Sequence, residues 1–564
     1  MIVLGISFTM DCGVVLAIDG RVVEAISEER LCRVKMIAGV PRQSIRYVLD
    51  KYGLTWRDIG AIATHGQLDD DQAHLDTFIR KAREITQSAL DGERKQEVLV
   101  HLWRRYGKEK SVRDVRLPDI LAELASFGPP LRIYPHHDCH AAYAYYASPF
   151  SDAFVLTADG YGEDASSTLW RARDGTMTKR KTTATVDSLG YFYGAITRHL
   201  GFTPHRHEGK VLGLAAHGDA SRTGAILQTM IRYDGARRDF TALHAQGLYI
   251  TDYKNPYLAE ALAGFSTVDV AAGAQRVLED CVLAYLEDQL DADLPLCVAG
   301  GIFANVRLNQ KIVERTRATG LFVAPHMGDG GLAMGAVALY LKETGSETVA
   351  LPRELYLGSV PSDAQIEEAL RQSDIPFERY RDIESATGDL LADGKLVARF
   401  SGRMEYGPRA LGNRSLLFNA ADPLANDWLN RKLHRSEFMP FAPMTLKEHA
   451  ADYYLDFERY MPNCSFMTVT VNCTERMRQS CPACVHVDGT ARPQLLAEAD
   501  NPGMHRALSR YHARTGIATV LNTSFNEHEH PIVETAQSAI ASVMACGIPY
   551  LAIGPYLVDN SARS

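Results

Sequence analysis

Two stretches of the chain share one plan, and that plan limits the folds open to it. Residues 3–23 and 155–176 each run through an apolar strand, a polar loop carrying an aspartate (Asp11; Asp159), a second strand, an Asp-Gly turn (Asp19-Gly20; Asp174-Gly175) and a third strand. Two unrelated hairpins would also give this pattern. Read as an internal duplication, it predicts two similar α/β lobes with the aspartate loops facing a shared cleft. Phe78, Ala82, Ile85 and Ala89 recur at helical spacing amid mixed charges, predicting a helical insertion at about residues 70–125. Its basic residues form either a solvated helix face or the lining of an acceptor pocket.

At 564 residues one core is not the default, and a polar stretch at 342–348 followed by Pro352 places a boundary near residue 350. The expected units are 1–350 and 351–564, the second also mixed α and β. A net charge of -9 argues against an extended nucleic-acid surface, which needs clustered Lys and Arg; a small-molecule partner fits better. The apolar N-terminus lacks a basic leader and is interrupted by Asp11, so it reads as a buried strand rather than a signal or a membrane span. Ten scattered cysteines suggest free thiols in a reducing cytoplasm. Cys464, Cys473, Cys481 and Cys484 lie closer together, but only the last two have C-x-x-C spacing, so ordinary cysteines and a zinc or redox site both remain open.

The chemistry-bearing residues fall into two sets. In PHHDCHAAYAYY, His136 and His140 share one helix face, a ligand spacing that capping or solvated histidines also produce. Adding Asp159 and Asp329, from the second lobe's loop and the HMGDGGLAMGA turn, gives a nitrogen and oxygen site suited to iron, manganese or zinc. Gly300 and Gly301 form a turn between a strand and the helix start near Asn305, and Gly330 offers a second glycine approach to a phosphate. Glu208 and Lys210 precede a small-residue run. These six are the candidate nucleotide contacts; turn chemistry and a surface lysine are the bland alternatives. In the second unit, Arg403, Arg409 and Arg414 surround glycine turns, followed by Lys432, Arg435 and Arg492, while LNTSFN brings Asn522, Thr523 and Ser524 after an apolar strand. Converging guanidinium groups could grip phosphoryl and carboxyl oxygens; surface salt bridges account equally well for the spacing.

Taken together, the EER at 28–30, HHxxH at 136–140, EGKVLGLAAHG, GGIFANVRLNQ, GDGGLAMGA, GPRALGNRSLL, SEFMPFAP and LNTSFN closely resemble the family of nodulation protein U and the antibiotic O-carbamoyltransferases, including those acting on cephamycins and tobramycin. The resemblance implies an actin-like ATPase domain of two duplicated lobes, akin to tRNA threonylcarbamoyl transferases, followed by a YrdC-like domain. It implies that carbamoyl phosphate and ATP, with Mg, form carbamoyladenylate in the YrdC-like domain, and that the carbamoyl group passes to a hydroxyl of a small natural product in the other.

On that resemblance His136, His140, Asp159 and Asp329 would hold Fe(II) or another divalent metal such as Mn or Zn. Arg409, Arg414, Lys432, Arg435, Arg492, Asn522 and Ser524 would bind carbamoyl phosphate and nucleotide, with Lys432 and Arg492 catalytic. Where many members carry His-Asp this chain has Met10-Asp11, leaving Asp11, His137 or a metal-bound group as proton acceptor. Where Gly-Glu often precedes Pro-Ile-Val it has Glu529-His530, so that turn is expected to differ. A homodimer stays open. Two rival readings are a tRNA threonylcarbamoyl-type transferase, disfavoured by charge and by the fused second unit, and an actin-like nucleotide switch, which leaves the arginines without a task.

Overall fold

The computed structural model describes residues 1–66, 71–250, 255–346, 349–373, 375–433 and 438–561. Strand β1 (Ile2–Ser7) is nearly all buried, and β2 (Gly13–Ile18) turns into β3 (Arg21–Ser27) through Asp19-Gly20, both at positive φ (49° and 77°). That two-residue turn suits the twist of a hairpin, and an Asp-Gly pair tolerates it. β4 (Ala61–His65) and β5 (Leu131–Tyr134) complete the sheet in the order β3-β2-β1-β4-β5, with β1, β4 and β5 parallel.

The plan then repeats. β6 (Asp152–Gly162), β7 (Ala165–Arg173) and β8 (Thr176–Ala184) form the meander, with Asp174-Gly175 again at positive φ. β9 (Ile231–Asp234) and β10 (Asp239–Ala242) make a separate ribbon. β11 (Leu296–Ala299) and β12 (Leu321–Val323) close the second sheet as β8-β7-β6-β11-β12, parallel where the first sheet is parallel. The duplicated lobes expected from the sequence are therefore present. Parallel strands need crossovers, so the chain returns through helices and loops, and each sheet collects its functional residues at its carboxyl end.

Contacts divide the chain into two compact units: Met1–Phe8, Ala17–Arg21 and Leu54–Leu351 form the first, and Thr9–Leu16, Val22–Gly53 and Pro352–Ser564 the second. In the second, β13 (Phe377–Arg379), β14 (Val397–Phe400), β15 (Arg414–Asn419) and β16 (Ala442–Leu446) are followed by a short ribbon of β17 (Val471–Asn472) with β18 (Thr490–Ala491), and then by β19 (Gln494–Leu496), β20 (Thr519–Ser524), β21 (Tyr550–Ile553) and β22 (Tyr556–Asp559). Its eight-stranded sheet runs β13-β22-β21-β14-β15-β20-β16-β19.

The EER segment is built into this unit. Glu28 accepts the backbone N–H groups of Gln43 and Ser44 at 3.0 and 2.7 Å, capping the helix Arg42–Tyr52, and Arg30 donates to Gly407 O at 2.7 Å. Cys473 and Cys481 are buried, and burial pushes their thiols up to about 12 and about 11, the range of inert structural cysteines.

Residues 71–126 form the helices Asp71–Gln87, Gly92–Ser111 and Leu117–Ser126, the last two joined by a π-helical turn. Phe78 and Ile85 are fully buried and Ala82 packs beside them. Ala89, at the next step of the apolar period, lies beyond the helix and is exposed, because Ser88 turns back to bond Ile85 O. Two basic residues point inward rather than to solvent. Lys81 pairs with Asp187 at 2.7 Å, and Arg105 pairs with Glu109 at 2.9 Å, stacks on Tyr191 and donates to Thr185 O.

Glu109 also meets His74 Nε2 at 3.2 Å and Thr185 Oγ1 at 3.0 Å. Burial opposes its charge, but Arg105 and the His74 bond prevail and hold its carboxyl below the ordinary value. Removing one partner of a buried ion pair typically costs about 3–5 kcal/mol, so Glu109→Ala is expected to lose that much stability in urea denaturation at pH 7. Because the folded value is the lower one, this stabilisation is present above about pH 4.3, the unfolded value, and is lost as pH falls through the folded value. The gap between wild type and variant should therefore narrow in acid.

Candidate functional site

Pro135, with its fixed φ, begins the helix His136–Tyr146 directly after β5, so His136 is its first residue and His140 follows one turn on. Asp159 sits near the carboxyl end of β6, where the pairing with β7 is irregular between Ala158 and Gly162. Asp329 opens the glycine turn after β12.

These four residues converge. His136 Nε2 lies 3.0 Å from Asp159 Oδ2 and 3.7 Å from Asp329 Oδ1; His140 Nε2 lies 3.5 and 3.7 Å from the same two oxygens. One donor atom from each lies within 4.8 Å of all the others. The two histidines and Asp159 are buried, while Asp329 is partly open.

The quartet fits a divalent cation on two independent grounds. Both ring nitrogens of His140 and Asp159 Oδ1 are buried without a hydrogen-bond partner, a costly condition for polar atoms that a central cation relieves. The donor set of two imidazoles and two carboxylates suits Fe(II), Mn(II) or Zn(II). The electrostatics agree. Burial opposes charge on His136, yet the Asp159 hydrogen bond and the Asp329 and Asp159 charges raise it to about 10. Burial likewise opposes charge on Asp159, but the three imidazoles around it hold its carboxyl far below the usual range. The carboxylates are set for a positive neighbour.

Two residues absent from the sequence reading border this group. His65 closes β4 and stacks edge-on to His136, with ring centroids 5.6 Å apart. Burial, followed by the His136 charge, pushes His65 well below its ordinary value. Glu163 takes a left-handed backbone (φ 56°) and accepts the His136 backbone N–H at 2.9 Å, fixing the start of the ligand helix. Its carboxyl is raised to about 8 by burial. The one local signal for Glu163 is an acid four positions past Asp159; His65 has none beyond standing at a strand end.

Of the remaining sequence candidates in this unit, His137 is committed to the framework. Its Nδ1 pairs with Thr157 Oγ1 at 2.8 Å and its Nε2 with Ala165 O at 3.1 Å, so neither nitrogen is spare for a proton. Gly300 (φ 102°) passes so close to β6 that a Cβ would lie 2.2 Å from Ala158 O. Its N–H donates to Met327 O at 2.7 Å, tying the Gly300-Gly301 turn to the loop bearing Asp329 and Gly330. Asn305 caps the helix Val306–Arg315 through Leu308 N and donates to Gln275 at 2.8 Å. Glu208 accepts His205 N at 2.6 Å, and Lys210 is buried in the helix Glu208–Ala215.

In the second unit, Asp11 takes a left-handed backbone (φ 61°). Asn522 and Ser524 lie on β20 itself rather than after it. Asn522 donates to Ala410 O at 3.1 Å and Gln494 Oε1 at 2.8 Å, while Gln494 donates to Leu411 O at 2.8 Å, so β20 and β19 together pin the loop that carries Arg409. Arg492 lies two residues before Gln494 and is, like Arg409, partly exposed. Arg414 is fully buried, stacked on Phe400 at 3.8 Å and bonded to Ser401 O and Gly402 O, with burial lowering its guanidinium to about 10. That enclosure makes it a support of the loop rather than a group facing a ligand. Lys432 ends the helix Ala425–Lys432, and Arg435 lies outside the described residues.

The N-terminal and C-terminal domain models of the carbamoyltransferase family match residues 2–338 and 388–560. Nodulation protein NolNO of Sinorhizobium fredii (strain NBRC 101917 / NGR234) is 30% identical over 99% of this chain and 80% of its own length. The 3'-hydroxymethylcephem-O-carbamoyltransferase of Amycolatopsis lactamdurans is 28% identical over 61% of this chain and 64% of its own. Component A of (R)-2-hydroxyglutaryl-CoA dehydratase from Acidaminococcus fermentans overlaps 61% of this chain and 100% of that one at 14% identity, with a TM-score of 0.37, too slight a likeness to argue from. The chain belongs to the carbamoyltransferase family, whose members are enzymes that transfer carbamoyl groups. Among the described residues no helix is long and apolar enough to cross a membrane.

Gly162 provides a test of the quartet that leaves all four donors in place. A methyl there would lie 2.4 Å from His136 Cγ, so the imidazole must shift. Disturbing the support of a metal ligand commonly costs about 10- to 100-fold in affinity. Gly162→Ala is expected to weaken Zn(II) binding by that factor in competition with a chromophoric chelator, with the fold intact by circular dichroism.

Proposed function

We propose that this chain is an ATP-dependent O-carbamoyltransferase that forms carbamoyladenylate from carbamoyl phosphate and ATP in its second unit and transfers the carbamoyl group to a hydroxyl of a small natural product. The observation that carries the reading is the convergence of His136, His140, Asp159 and Asp329 on one buried point in a member of this family. The name of the Amycolatopsis relative supports a hydroxyl acceptor.

His136, His140, Asp159 and Asp329 would hold the divalent cation, Fe(II) or another such as Mn or Zn, and Lewis-acid polarisation of a bound oxygen is the chemistry it supplies. Glu163 keeps the first ligand's helix in register. In the second unit Arg409 and Arg492, with Lys432 and Arg435, would bind the phosphoryl and carboxyl oxygens of carbamoyl phosphate and MgATP and offset charge developing on the leaving phosphate. Asn522 and Arg414 hold the loop on which Arg409 rides, and Ser524 stands at the end of the same strand. Gly300, Gly301 and Gly330 would let backbone N–H groups approach a nucleotide phosphate. With both nitrogens of His137 engaged, Asp11 and a metal-bound group remain the candidates for taking the acceptor's proton.

The test supplies ATP, Mg(II), Fe(II) or Mn(II) and carbamoyl phosphate without acceptor and follows AMP and pyrophosphate by chromatography. Release that requires carbamoyl phosphate, and that drops at least about 100-fold in Arg492→Ala, is expected for a transition-state cation. Folded, metal-loaded protein that releases neither product would count against carbamoyl activation and favour a nucleotide switch.

A further inference from the structure

His65 is held in a single tautomer. It ends β4, which lies between the parallel strands β1 and β5 and is in register with Tyr134, so the carboxyl ends of these three strands deliver Phe8, His65 and His136 to one place. The Phe8 backbone N–H donates to His65 Nε2 at 3.3 Å. A backbone N–H can only donate, so Nε2 accepts through its lone pair, and a ring that accepts there carries its N–H at Nδ1.

The ring cannot turn away from this arrangement. It stacks on Phe8 with centroids 4.0 Å apart and planes at 24°, and meets His136 edge-on. Thr64 Oγ1, donating to Ile6 O at 2.8 Å, fixes the strand just before it. The side chain is 1% exposed, and its Nδ1 has no hydrogen-bond partner among the described residues. A clamped, buried N–H donor without an acceptor, beside the His136 ring, is the complement of a ligand oxygen.

We propose that His65 is a substrate-binding residue of the transfer site, its Nδ1–H donating to a phosphoryl oxygen of the adenylate held at the His136, His140, Asp159 and Asp329 cluster. This rests on the proposed function, with the carbamoyladenylate giving up its carbamoyl group at that cluster. His65, His136 and Glu163 also approach one another closely enough to suggest a second cation. The tautomer argues against it: Nε2 is occupied by the Phe8 N–H, and Nδ1 carries a proton instead of a free pair.

Two replacements separate the nitrogens. His65→Gln keeps an acceptor near Nε2 for Phe8 and has no donor at Nδ1, whereas His65→Asn keeps an amide donor near Nδ1. The full chain is titrated with AMP by calorimetry with and without Zn(II), so that the Zn(II)-dependent part of the binding reports the cluster rather than the second unit, alongside Zn(II) affinity and Tm. His65→Gln is expected to bind AMP at least about tenfold more weakly, the loss typical of a hydrogen bond to a charged group, and His65→Asn within about threefold of wild type, with Zn(II) affinity unchanged in both. In ¹⁵N-histidine spectra the resonance missing from His65→Gln should be a neutral Nδ1–H ring.

Wild-type AMP affinity in His65→Gln, or an Nε2–H tautomer, overturns the proposal. Parallel loss of Zn(II) affinity in both variants overturns it in favour of His65 as a metal ligand. Wild-type protein that binds no AMP removes the adenylate reading itself and this proposal with it, whereas wild-type binding with an unaffected Gln variant removes this proposal alone.

Discussion

Two carboxylates drawn together in a largely water-excluded site repel each other strongly unless positive charge lies between or beside them. Asp159 and Asp329 are in that position, and the surrounding structure reads as the means of bringing positive charge to them. His136 and His140 stand on one turn of helix, held at its first residue by Pro135 and by the carboxyl group of Glu163. Gly162 leaves room for the His136 ring, and the Gly300 turn is bonded to the loop that carries Asp329. Each support acts on orientation, the property a coordination site depends on most. The repeated sheet explains why supports from distant parts of the sequence meet: in both lobes the parallel strands deposit their following residues at the carboxyl edge.

In the second unit the arginines of one loop divide between bracing it and remaining partly exposed. Arg414 gives up solvent to brace the loop from inside, bonded to carbonyls and stacked on Phe400, and Arg30 and Asn522 fasten it at Gly407 and Ala410. Arg409 and Arg492 remain partly exposed beside it. The arginines singled out in a protein of net charge -9 thus divide into Arg414, which positions the loop, and Arg409 and Arg492, which stay partly exposed.

How much of this was legible depended on the range of the interaction. The hairpin turns, the four-residue spacing of His136 and His140 and the amphipathic stripe of Phe78 and Ile85 are local, and local chemistry determines them. The stripe misled only at Ala89, where the Ser88 turn ended the helix first. Long-range contacts left no trace. Nothing near Lys81 or Arg105 in sequence announces Asp187 or Thr185 as buried partners, and nothing near His65 announces Phe8 and His136. His137, adjacent to a ligand, looked equally able to take a proton until Thr157 and Ala165 were seen to occupy it. Asn305, read as a phosphate contact, caps a helix; the two roles use the same residue type for the same reason, a short polar side chain beside free backbone N–H groups.

A single cation held between Asp159 and Asp329 is the feature on which the proposed chemistry turns. Its most direct test is the metal content of the purified full chain after exposure to Fe(II), Mn(II) and Zn(II) separately under anaerobic conditions, measured by plasma mass spectrometry beside Asp159→Asn, which keeps the shape and removes the charge. One tightly held ion per wild-type chain and none in the variant is the expected result. A wild-type chain that retains none of the three metals, or a variant that retains as much as wild type, would contradict it.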